Sequence, residues 1–255
     1  MYMKRFQDKV VIVTGAGSGI GAATAVRFSE EGAKVLLVGK TLSKLEEIAK
    51  RLSPERSALI EIDVSKHHEV VNLMEYAIDC FGQIDVLVNN AGIFVEGDIT
   101  KVSIEDWQRV QDTNVNSVFY TSREAMPFLE MNKGCIVNTA SVSGLGGDWN
   151  LSAYNTSKGA VVNLTRVMAM DFASKGIRVN SVCPSLTFTN MTTDIAEKQD
   201  LLNKFYERIP LGRGAQSEEI AAAIAFLASE DASFITGVNL PVDGGLTASN
   251  GQPAT

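Results

Sequence analysis

Tyr154 and Lys158 stand four positions apart in a segment with helical periodicity, so both side chains should lie on one helix face. A phenol has a reference pKa of about 10, which is too high for an efficient proton acceptor near neutral pH. An ammonium about 4 Å away contributes about 4 kcal/mol at an effective dielectric of ~20, enough to lower that pKa by about 3 units. Ser141 can hydrogen-bond the substrate oxygen. A tyrosine and a lysine four positions apart are common on helix surfaces, so this pair alone does not indicate a catalytic site.

A glycine-rich turn at residues 14–21 follows the first apolar run and precedes a helical pattern. Gly15 permits the tight turn, while Gly19 and Gly21 let the backbone approach a pyrophosphate and let the helix pack on the strand. The N-terminus of the helix supplies unpaired N–H groups and partial positive charge for phosphates. Because strand, glycines and helix occur in the required order, the loop predicts nucleotide binding, with Ser18 and Ile20 among the contacts.

Short apolar runs alternate with helical patterns along the chain. Most of the runs are unbroken, which is typical of strands buried on both faces of a parallel sheet. The predicted strands are residues 9–13, 34–38, 58–63, 84–88, 135–139, 178–183 and 237–242. This alternation predicts an α/β fold: a single Rossmann-type, doubly wound parallel sheet of about seven strands flanked by helices.

The composition restricts the function classes. The chain has 255 residues, 45% hydrophobic and 21% charged, as in a globular protein with a large core. Its formal charge of −7 argues against nucleic acid or an acidic membrane surface as a partner. Cys80, Cys135 and Cys183 lack metal-like spacing, and the adjacent His67 and His68 diverge on a helix, so no metal site is expected. Without a signal-peptide run or a membrane-length apolar stretch, we expect a cytoplasmic location.

Four motifs carry a family resemblance: Thr-Gly-x-x-x-Gly-Ile-Gly at 14–21, Asn-Asn-Ala-Gly at 89–92, Ser141, and Tyr-Asn-Thr-Ser-Lys at 154–158. In this order they resemble the short-chain dehydrogenase/reductase family, and the resemblance spans essentially the whole chain. It implies an NAD(P)-dependent oxidoreductase that interconverts a secondary alcohol and a ketone by hydride transfer, with Tyr154 as the acid/base. It further implies a catalytic segment at 114–158, in which Asn114 anchors a water that relays the proton past Lys158.

The resemblance also implies where the cofactor and the substrate bind. Asp63 and Val64 are expected at the adenine, and Thr187 and Thr189 at the carboxamide. The full set expected at the cofactor is Gly15, Ser18, Gly19, Ile20, Gly21, Gly39, Lys40, Thr41, Asp63, Val64, Asn90, Ala91, Gly92, Thr139, Tyr154, Lys158, Pro184, Ser185, Thr187 and Thr189. The set expected at the substrate is Ser141, Val142, Trp149, Tyr154, Ser185 and Met191.

Two of these positions bear on the substrate pocket. The family usually has Pro-Gly after the sixth strand, whereas this chain has Pro184 and Ser185, which should narrow the space over the nicotinamide. Trp149 lies in the loop between Ser141 and Tyr154, and loops at strand ends carry function, so we interpret it as a substrate contact rather than a core residue.

The residues after the second strand bear on which nicotinamide is used. An acid there would bind the ribose 2′-OH and repel a 2′-phosphate. This chain has Gly39, Lys40 and Thr41 instead. Gly39 carries no charge that would repel a 2′-phosphate, and Lys40 and Thr41 can bind one. The alternative interpretation is that Lys40 is only a solvated loop cation. Ser18 supplies no second basic group for the phosphate. The sequence favours NADP, with NAD as the alternative.

No charged cluster marks an anionic substrate, which favours a small neutral ketone, diketone or acyloin. Within the family, the chain resembles acetoin reductases/butanediol dehydrogenases at residues 133–149, 180–185 and 251–253. Those enzymes generally use NAD and have an acid after the second strand. Gly39 departs from that pattern. One alternative is a 3-oxoacyl-[acyl-carrier-protein] reductase, although a −7 chain is a less natural partner for an acidic carrier. A non-catalytic nucleotide-sensing protein is the other, but it would not need Ser141, Tyr154 and Lys158 together.

The organisation beyond the site is also predicted. No linker, charge block or internal repeat interrupts residues 1–255, so we expect one domain, with a substrate lid at about 185–212 and a polar tail at 247–255. The helical patterns at 104–129 and 153–172 carry more small and apolar residues than one sheet face needs. Members of the family commonly pair these helices, and we expect a homotetramer of two-fold symmetry.

Overall fold

The computed structural model describes residues 4–251, which form a seven-stranded parallel sheet with helices packed on both faces. The strands are β1 (Val10–Thr14), β2 (Lys34–Gly39), β3 (Ser57–Glu61), β4 (Val86–Asn89), β5 (Cys135–Thr139), β6 (Arg178–Pro184), β7 (Thr187–Phe188), β8 (Ala215–Gln216) and β9 (Asn239–Val242). Their order across the main sheet is β3-β2-β1-β4-β5-β6-β9, and β7 and β8 form a separate ribbon. The predicted fold class is confirmed, and the predicted strands match within two residues at each end.

Helices connect the strands. They are α1 (Gly19–Glu30), α2 (Leu42–Ala49), α3 (His67–Phe81), α4 (Ile104–Gln111), α5 (Ser117–Asn132), α6 (Ser152–Phe172), α7 (Thr193–Ala196), α8 (Gln199–Arg208) and α9 (Ser217–Ala228). A π-helical turn, Asp112–Asn116, joins α4 to α5. Within residues 4–251, no helix has the length and apolar character needed to cross a membrane.

Alternate residues of the central strands pack on opposite faces of the sheet. Val11 and Val13 of β1 belong to a core cluster with residues of α1, α2 and α9. Ile12 belongs to the cluster on the other face, with residues of α3, α5 and α6. All three side chains are fully buried. Because both faces are covered, the strands need apolar residues at every position, which explains the unbroken runs in the sequence.

The strand order reverses between β1 and β4, and such a reversal opens a crevice at the carboxyl ends of the strands. Thr14 connects the two strands at this point. Its Oγ1 accepts hydrogen bonds from the backbone N–H groups of Asn90 (2.9 Å) and Ala91 (3.1 Å) and donates to the Val88 carbonyl (3.2 Å). The Asn90 side-chain amide donates to the Thr14 carbonyl at 3.1 Å. These bonds fix the two segments that border the crevice.

The predicted lid, residues 185–212, contains β7, α7 and α8 and is more regular than the sequence indicated. It has a small hydrophobic cluster of its own, in which Leu186, Leu202 and Ile209 are buried. The ribbon of β7 and β8 ties its start to the chain before α9. Its opening and closing over a substrate stays a prediction. Of the predicted polar tail, residues 252–255 lie outside the described residues.

Candidate active site

A cavity of about 270 Å³ lies in the crevice, at the carboxyl ends of β1, β4, β5 and β6. Most of the residues that the sequence analysis assigned to cofactor or substrate meet around it. The cavity is lined by Gly15, Ser18, Gly19, Ile20, Asn90, Ala91, Gly92, Thr139, Ala140, Ser141, Tyr154, Lys158, Pro184, Ser185, Thr187, Thr189, Asn190, Met191 and Thr192. The predicted site residues outside this lining are Gly21, Gly39, Lys40, Thr41, Asp63, Val64, Asn114, Val142 and Trp149.

The glycine-rich turn forms one wall of the cavity. Gly15 and Gly19 have φ angles of 65° and 53°, which L side chains rarely adopt. Ser18 precedes α1 without a side-chain hydrogen bond to the helix, so the first N–H groups of α1 face the cavity end of the turn uncapped. A Cβ on Gly21 would lie 2.2 Å from the Gly15 carbonyl oxygen. Gly21 therefore allows helix and turn to pack closely, and the arrangement fits a pyrophosphate group.

Asn114 lies in the π-helical turn, and such turns are frequent at functional sites. Its side chain is 1% exposed, and both its oxygen and its nitrogen form hydrogen bonds with neighbouring residues. Asn114 Oδ1 accepts from the Ile93 backbone N–H (2.8 Å), and Nδ2 donates to the Ile93 carbonyl (2.8 Å) and to Ser157 Oγ (3.0 Å). The side chain thus clamps the segment after β4 against α6. The water relay assigned to Asn114 stays a prediction.

Helix α6 brings Tyr154 and Lys158 to the carboxyl end of β5. Lys158 is 4% exposed, and its Nζ donates a hydrogen bond to the Thr139 carbonyl at 2.8 Å. The same Nζ lies 5.6 Å from the centre of the Tyr154 ring. Ser141 follows β5 and lies beside the Tyr154 phenol, where its hydroxyl acts to lower the pKa of that phenol. The three predicted catalytic side chains therefore meet at one end of the cavity.

The ionisation of the pair differs from the sequence expectation. Burial, reinforced by the charge of Asp148, raises the pKa of Tyr154 to about 12, against the opposing hydrogen bond from Ser141. Burial also lowers the pKa of Lys158 to about 8, partly offset by Cys183. Lys158 does not lower the phenol pKa here because its ammonium lies over the ring and bonds the Thr139 carbonyl. In this arrangement Tyr154 is a proton donor, and it needs a further nearby cation to act as a base.

The corner after β2 holds the residues expected to distinguish the two nicotinamides. Gly39 pairs in register with Glu61 of β3. Lys40 Nζ lies 3.0 Å from Asp63 Oδ2 in an ion pair that the sequence analysis did not foresee. Burial alone would raise the pKa of Asp63, but hydrogen bonds from Ser65 and Lys40 outweigh it and the net shift is downward. The corner therefore contains both a cation and an acid.

Only some of the residues predicted to contact the substrate line the cavity. Ser185 lines the cavity, and its Oγ donates to the Asp243 carbonyl at 3.1 Å. Met191 also lines it and is 41% exposed. The Trp149 side chain is 91% exposed, because the loop that carries it turns toward solvent. Contacts of Trp149 and Val142 with a substrate stay predictions.

Several polar residues near the site were not identified from the sequence. Thr14 stands first in the glycine motif, and its hydroxyl joins β1 to the segment after β4. Ser143 and Asp148 continue a hydrogen-bond chain from Ser141. Ser157 supports Asn114. The position of Thr14 at a strand end was an available signal, whereas the bonds of Ser143 and Asp148 depend on a loop whose path the sequence does not reveal.

Comparison with known proteins places the chain among reductases and dehydrogenases. A family model described as enoyl-(acyl carrier protein) reductase matches residues 15–247. The chain is 53% identical to a meso-2,3-butanediol dehydrogenase of Serratia marcescens over 98% of both chains. It is 36% identical to a 3-oxoacyl-[acyl-carrier-protein] reductase of Thermotoga maritima, over 95% of this chain and 99% of the relative. The crystal structure of levodione reductase superimposes with a TM-score of 0.92 at 34% identity, covering 96% of this chain and 100% of the other.

The buried ammonium leads to a prediction about stability. Because the pKa of Lys158 is about 8 in the folded chain and 10.5 ordinarily, the folded chain binds this proton less tightly than the unfolded chain. The resulting destabilisation is fully present below pH 8 and disappears as the pH rises to about 10.5. We expect Lys158→Met to raise the free energy of unfolding by about 1–2 kcal/mol at pH 7, less than the full shift of ~3 kcal/mol because the Thr139 carbonyl loses its donor.

Urea unfolding at pH 7 and pH 9.5 measures this effect, with Lys204→Met on the exposed side of α8 as the control. The increase in the free energy of unfolding caused by Lys158→Met should be smaller at pH 9.5 than at pH 7. Lys204→Met should show no such increase. A Lys158→Met protein that is less stable than the wild type at pH 7 would contradict the account of the buried charge.

Proposed function

The chain belongs to the short-chain dehydrogenase/reductase family, and from this premise we propose that Tyr154, Lys158 and Ser141 carry out its reaction. The family makes it a nicotinamide-dependent oxidoreductase that interconverts a secondary alcohol and a ketone, as the sequence predicted. The non-catalytic nucleotide-sensing alternative is thereby set aside. The observation that supports the residue assignment is the meeting of the three side chains at one end of the cavity.

The proposed roles follow from the protons that each group can give or take. When bound, the nicotinamide supplies or accepts the hydride. In the reduction direction the protonated Tyr154 gives its phenol proton to the substrate oxygen, and its raised pKa keeps that proton available. Ser141 hydrogen-bonds the same oxygen and holds it at the phenol. The Lys158 ammonium has three N–H donors and uses one of them in the hydrogen bond to the Thr139 carbonyl. The other two can donate to hydroxyl groups of a bound ribose.

The substrate we propose is a small neutral ketone, diketone or acyloin, with the corresponding alcohol or diol in the reverse direction. The relative at 53% identity is a butanediol dehydrogenase, and the cavity-lining residues expected at the substrate, Ser141, Ser185 and Met191, carry hydroxyl or apolar side chains. Acetoin is the first compound to assay. The 3-oxoacyl-[acyl-carrier-protein] reductase alternative rests on a more distant relative, and the net charge of −7 disfavours docking of an acidic carrier.

We propose that the enzyme prefers NADP, with NAD as the alternative. No acid stands at position 39 to repel a 2′-phosphate, and Lys40 and Thr41 lie next to it. Lys40 must share its charge with Asp63, but its side chain is 62% exposed and such pairs contribute only about 0–1 kcal/mol. A dianionic phosphate can therefore compete for the ammonium.

We propose a homotetramer of two-fold symmetry. Helices α4, α5 and α6 carry large apolar side chains that are exposed in the single chain. They are Ile104, Trp107, Phe119, Val167 and Met170. Helices α4 and α6 pack against each other, and exposed large apolar side chains on neighbouring helices are typical of a subunit interface.

The first test concerns the acid/base. Tyr154→Phe keeps the ring but removes the hydroxyl, so turnover of acetoin should fall at least a hundredfold, in line with the contribution of general acid catalysis. Cofactor affinity should stay within a few-fold, because the phosphate and adenine contacts lie elsewhere. Steady-state kinetics and fluorescence titration measure the two quantities, with Tyr76→Phe on α3 as the control. Retention of a tenth of wild-type activity by Tyr154→Phe would remove Tyr154 from this role.

The second test concerns cofactor choice. Gly39→Asp should shift the kcat/KM ratio toward NADH by at least about tenfold, or about 1.4 kcal/mol, because the new carboxylate repels the 2′-phosphate and accepts from the 2′-OH. A Cβ at Gly39 would lie 3.2 Å from Cδ2 of the buried Leu45, so any side chain there requires Leu45 to shift by a few tenths of an ångström. Gly39→Ala is the matched control for the added bulk. Lys40→Ala should weaken NADPH use while sparing NADH, less so at high salt.

An unmutated enzyme that already prefers NADH would contradict the proposed preference. The resemblance to butanediol dehydrogenases would then be the better guide to this corner. The catalytic assignment would stand, because it does not depend on the ribose corner.

The third test concerns assembly. Light scattering at micromolar concentration should give the mass of four chains. Met170→Lys places a charge at an 81% exposed position on α6 and should reduce that mass while leaving the fold intact by circular dichroism. A monomeric wild-type protein would refute the tetramer.

A further inference from the structure

The corner after β2 receives an acid from the neighbouring strand β3. Glu61 is the in-register partner of Gly39, the position at which an acid on β2 would select between the two nicotinamides. Glu61 Oε1 accepts a hydrogen bond from the backbone N–H of Leu42 at 3.0 Å. Leu42 is the first residue of α2 and closely follows Gly39 in the chain. The Glu61 carboxylate therefore lies at the same corner as Gly39, although a different strand carries it.

The geometry of the two strands explains why Glu61 points to this corner. Side chains of a strand alternate between the two faces of the sheet. Leu37 and Leu59, which precede Gly39 and Glu61 by two positions, both pack in the core cluster that includes residues of α2. A Cβ on Gly39 would also point toward α2, at 3.2 Å from Leu45. Glu61 lies on this face at the end of β3, where its side chain is exposed to solvent.

The Glu61 carboxylate occupies a position that favours anions. The first N–H groups of a helix have no partner within the helix and carry partial positive charge. Thr41, the residue before α2, makes no side-chain hydrogen bond to the helix, and Glu61 binds the first helical N–H instead. Lys40 and Thr41, which we propose as ligands of the 2′-phosphate, directly precede Leu42. A phosphate bound by these two residues therefore competes with Glu61 for the Leu42 N–H and is repelled by its charge.

We propose that Glu61 is a specificity-determining residue for the cofactor, which weakens binding of a 2′-phosphate and so limits the preference for NADP. This inference rests on the proposed function, in which the ribose corner binds the cofactor. The charge of Glu61 supplies the repulsion that an acid at position 39 would supply. Among residues 4–251 Glu61 forms no ion pair, because Lys40 pairs with Asp63.

The same carboxylate is compatible with a ribose that carries no phosphate. Oε1 accepts from Leu42, and Oε2 has no hydrogen-bond partner within the described part of the chain. A carboxylate oxygen of this kind can accept from a ribose hydroxyl. Glu61 therefore acts against one cofactor without acting against the other, which is the condition for a residue that determines specificity.

The experiment measures binding of NADPH and NADH, which differ only by the 2′-phosphate, by fluorescence titration without substrate. Glu61→Gln keeps an oxygen that can accept from Leu42 but removes the charge. We expect the Kd for NADPH to fall about fivefold while the Kd for NADH stays within about twofold, as for loss of one charge beside a helix N-terminus. The shift should be smaller at about 0.5 M salt, because the charges are exposed.

Two further variants are matched controls. Glu61→Asp keeps the charge at the corner and should keep the wild-type ratio of the two Kd values. Glu46→Gln removes the same charge from an exposed position one turn further along α2. It should change that ratio by less than about twofold, because the effect of a charge on a helix end falls off within the first turn.

Separate results decide between the inference and the function on which it rests. An unchanged Kd for NADPH in Glu61→Gln would overturn the role of Glu61. An equal fall in both Kd values, or the same shift in Glu46→Gln, would also overturn it, because neither is specific to a phosphate at this corner. A wild type that binds neither cofactor would overturn the proposed function and the inference with it. A wild type that binds NADH more tightly would contradict only the proposed preference, and the shift in Glu61→Gln would still support the inference.

Discussion

The site depends on one buried positive charge. Lys158 is almost without solvent contact, and burial of its ammonium opposes folding at neutral pH. The charge is held by the hydrogen bond to the Thr139 carbonyl at the end of β5, and α6 packs against the neighbouring strand β6. An arrangement that is costly for stability and places a cation beside a phenol is typical of a functional site.

The rest of the fold makes this arrangement rigid. Both sheet faces are covered, so the carboxyl ends of the strands cannot shift without disturbing a core. Thr14 joins β1 to the segment after β4, and Asn114 clamps that segment to α6 through Ser157. The cavity walls are thus fixed to one another by buried hydrogen bonds, which is the condition for a preorganised site.

The sequence predicted the fold and most of the cavity because both depend on local patterns. Unbroken apolar runs indicated the parallel strands, and the motifs containing Gly15, Asn90 and Tyr154 indicated residues that do line one cavity. It did not predict the Lys40–Asp63 ion pair or the chain from Ser141 to Asp148, since both join residues whose distance is set by loop conformation. The sequence also predicted a lowered pKa for Tyr154, whereas burial raises it. The degree of burial and the direction of the Lys158 ammonium depend on packing, which the sequence motif does not reveal.

The ionisation of Tyr154 tests the central claim most directly. It can be followed as the tyrosinate absorbance that the wild type shows and Tyr154→Phe lacks, with and without oxidised cofactor. We expect no ionisation of Tyr154 in the free protein up to about pH 10, the reference value for a phenol. With the cationic nicotinamide bound, the ionisation should occur at least about 2 pH units below that of the free protein, because a nearby positive charge stabilises the phenolate. Ionisation near pH 10 that does not respond to the cofactor would contradict the account.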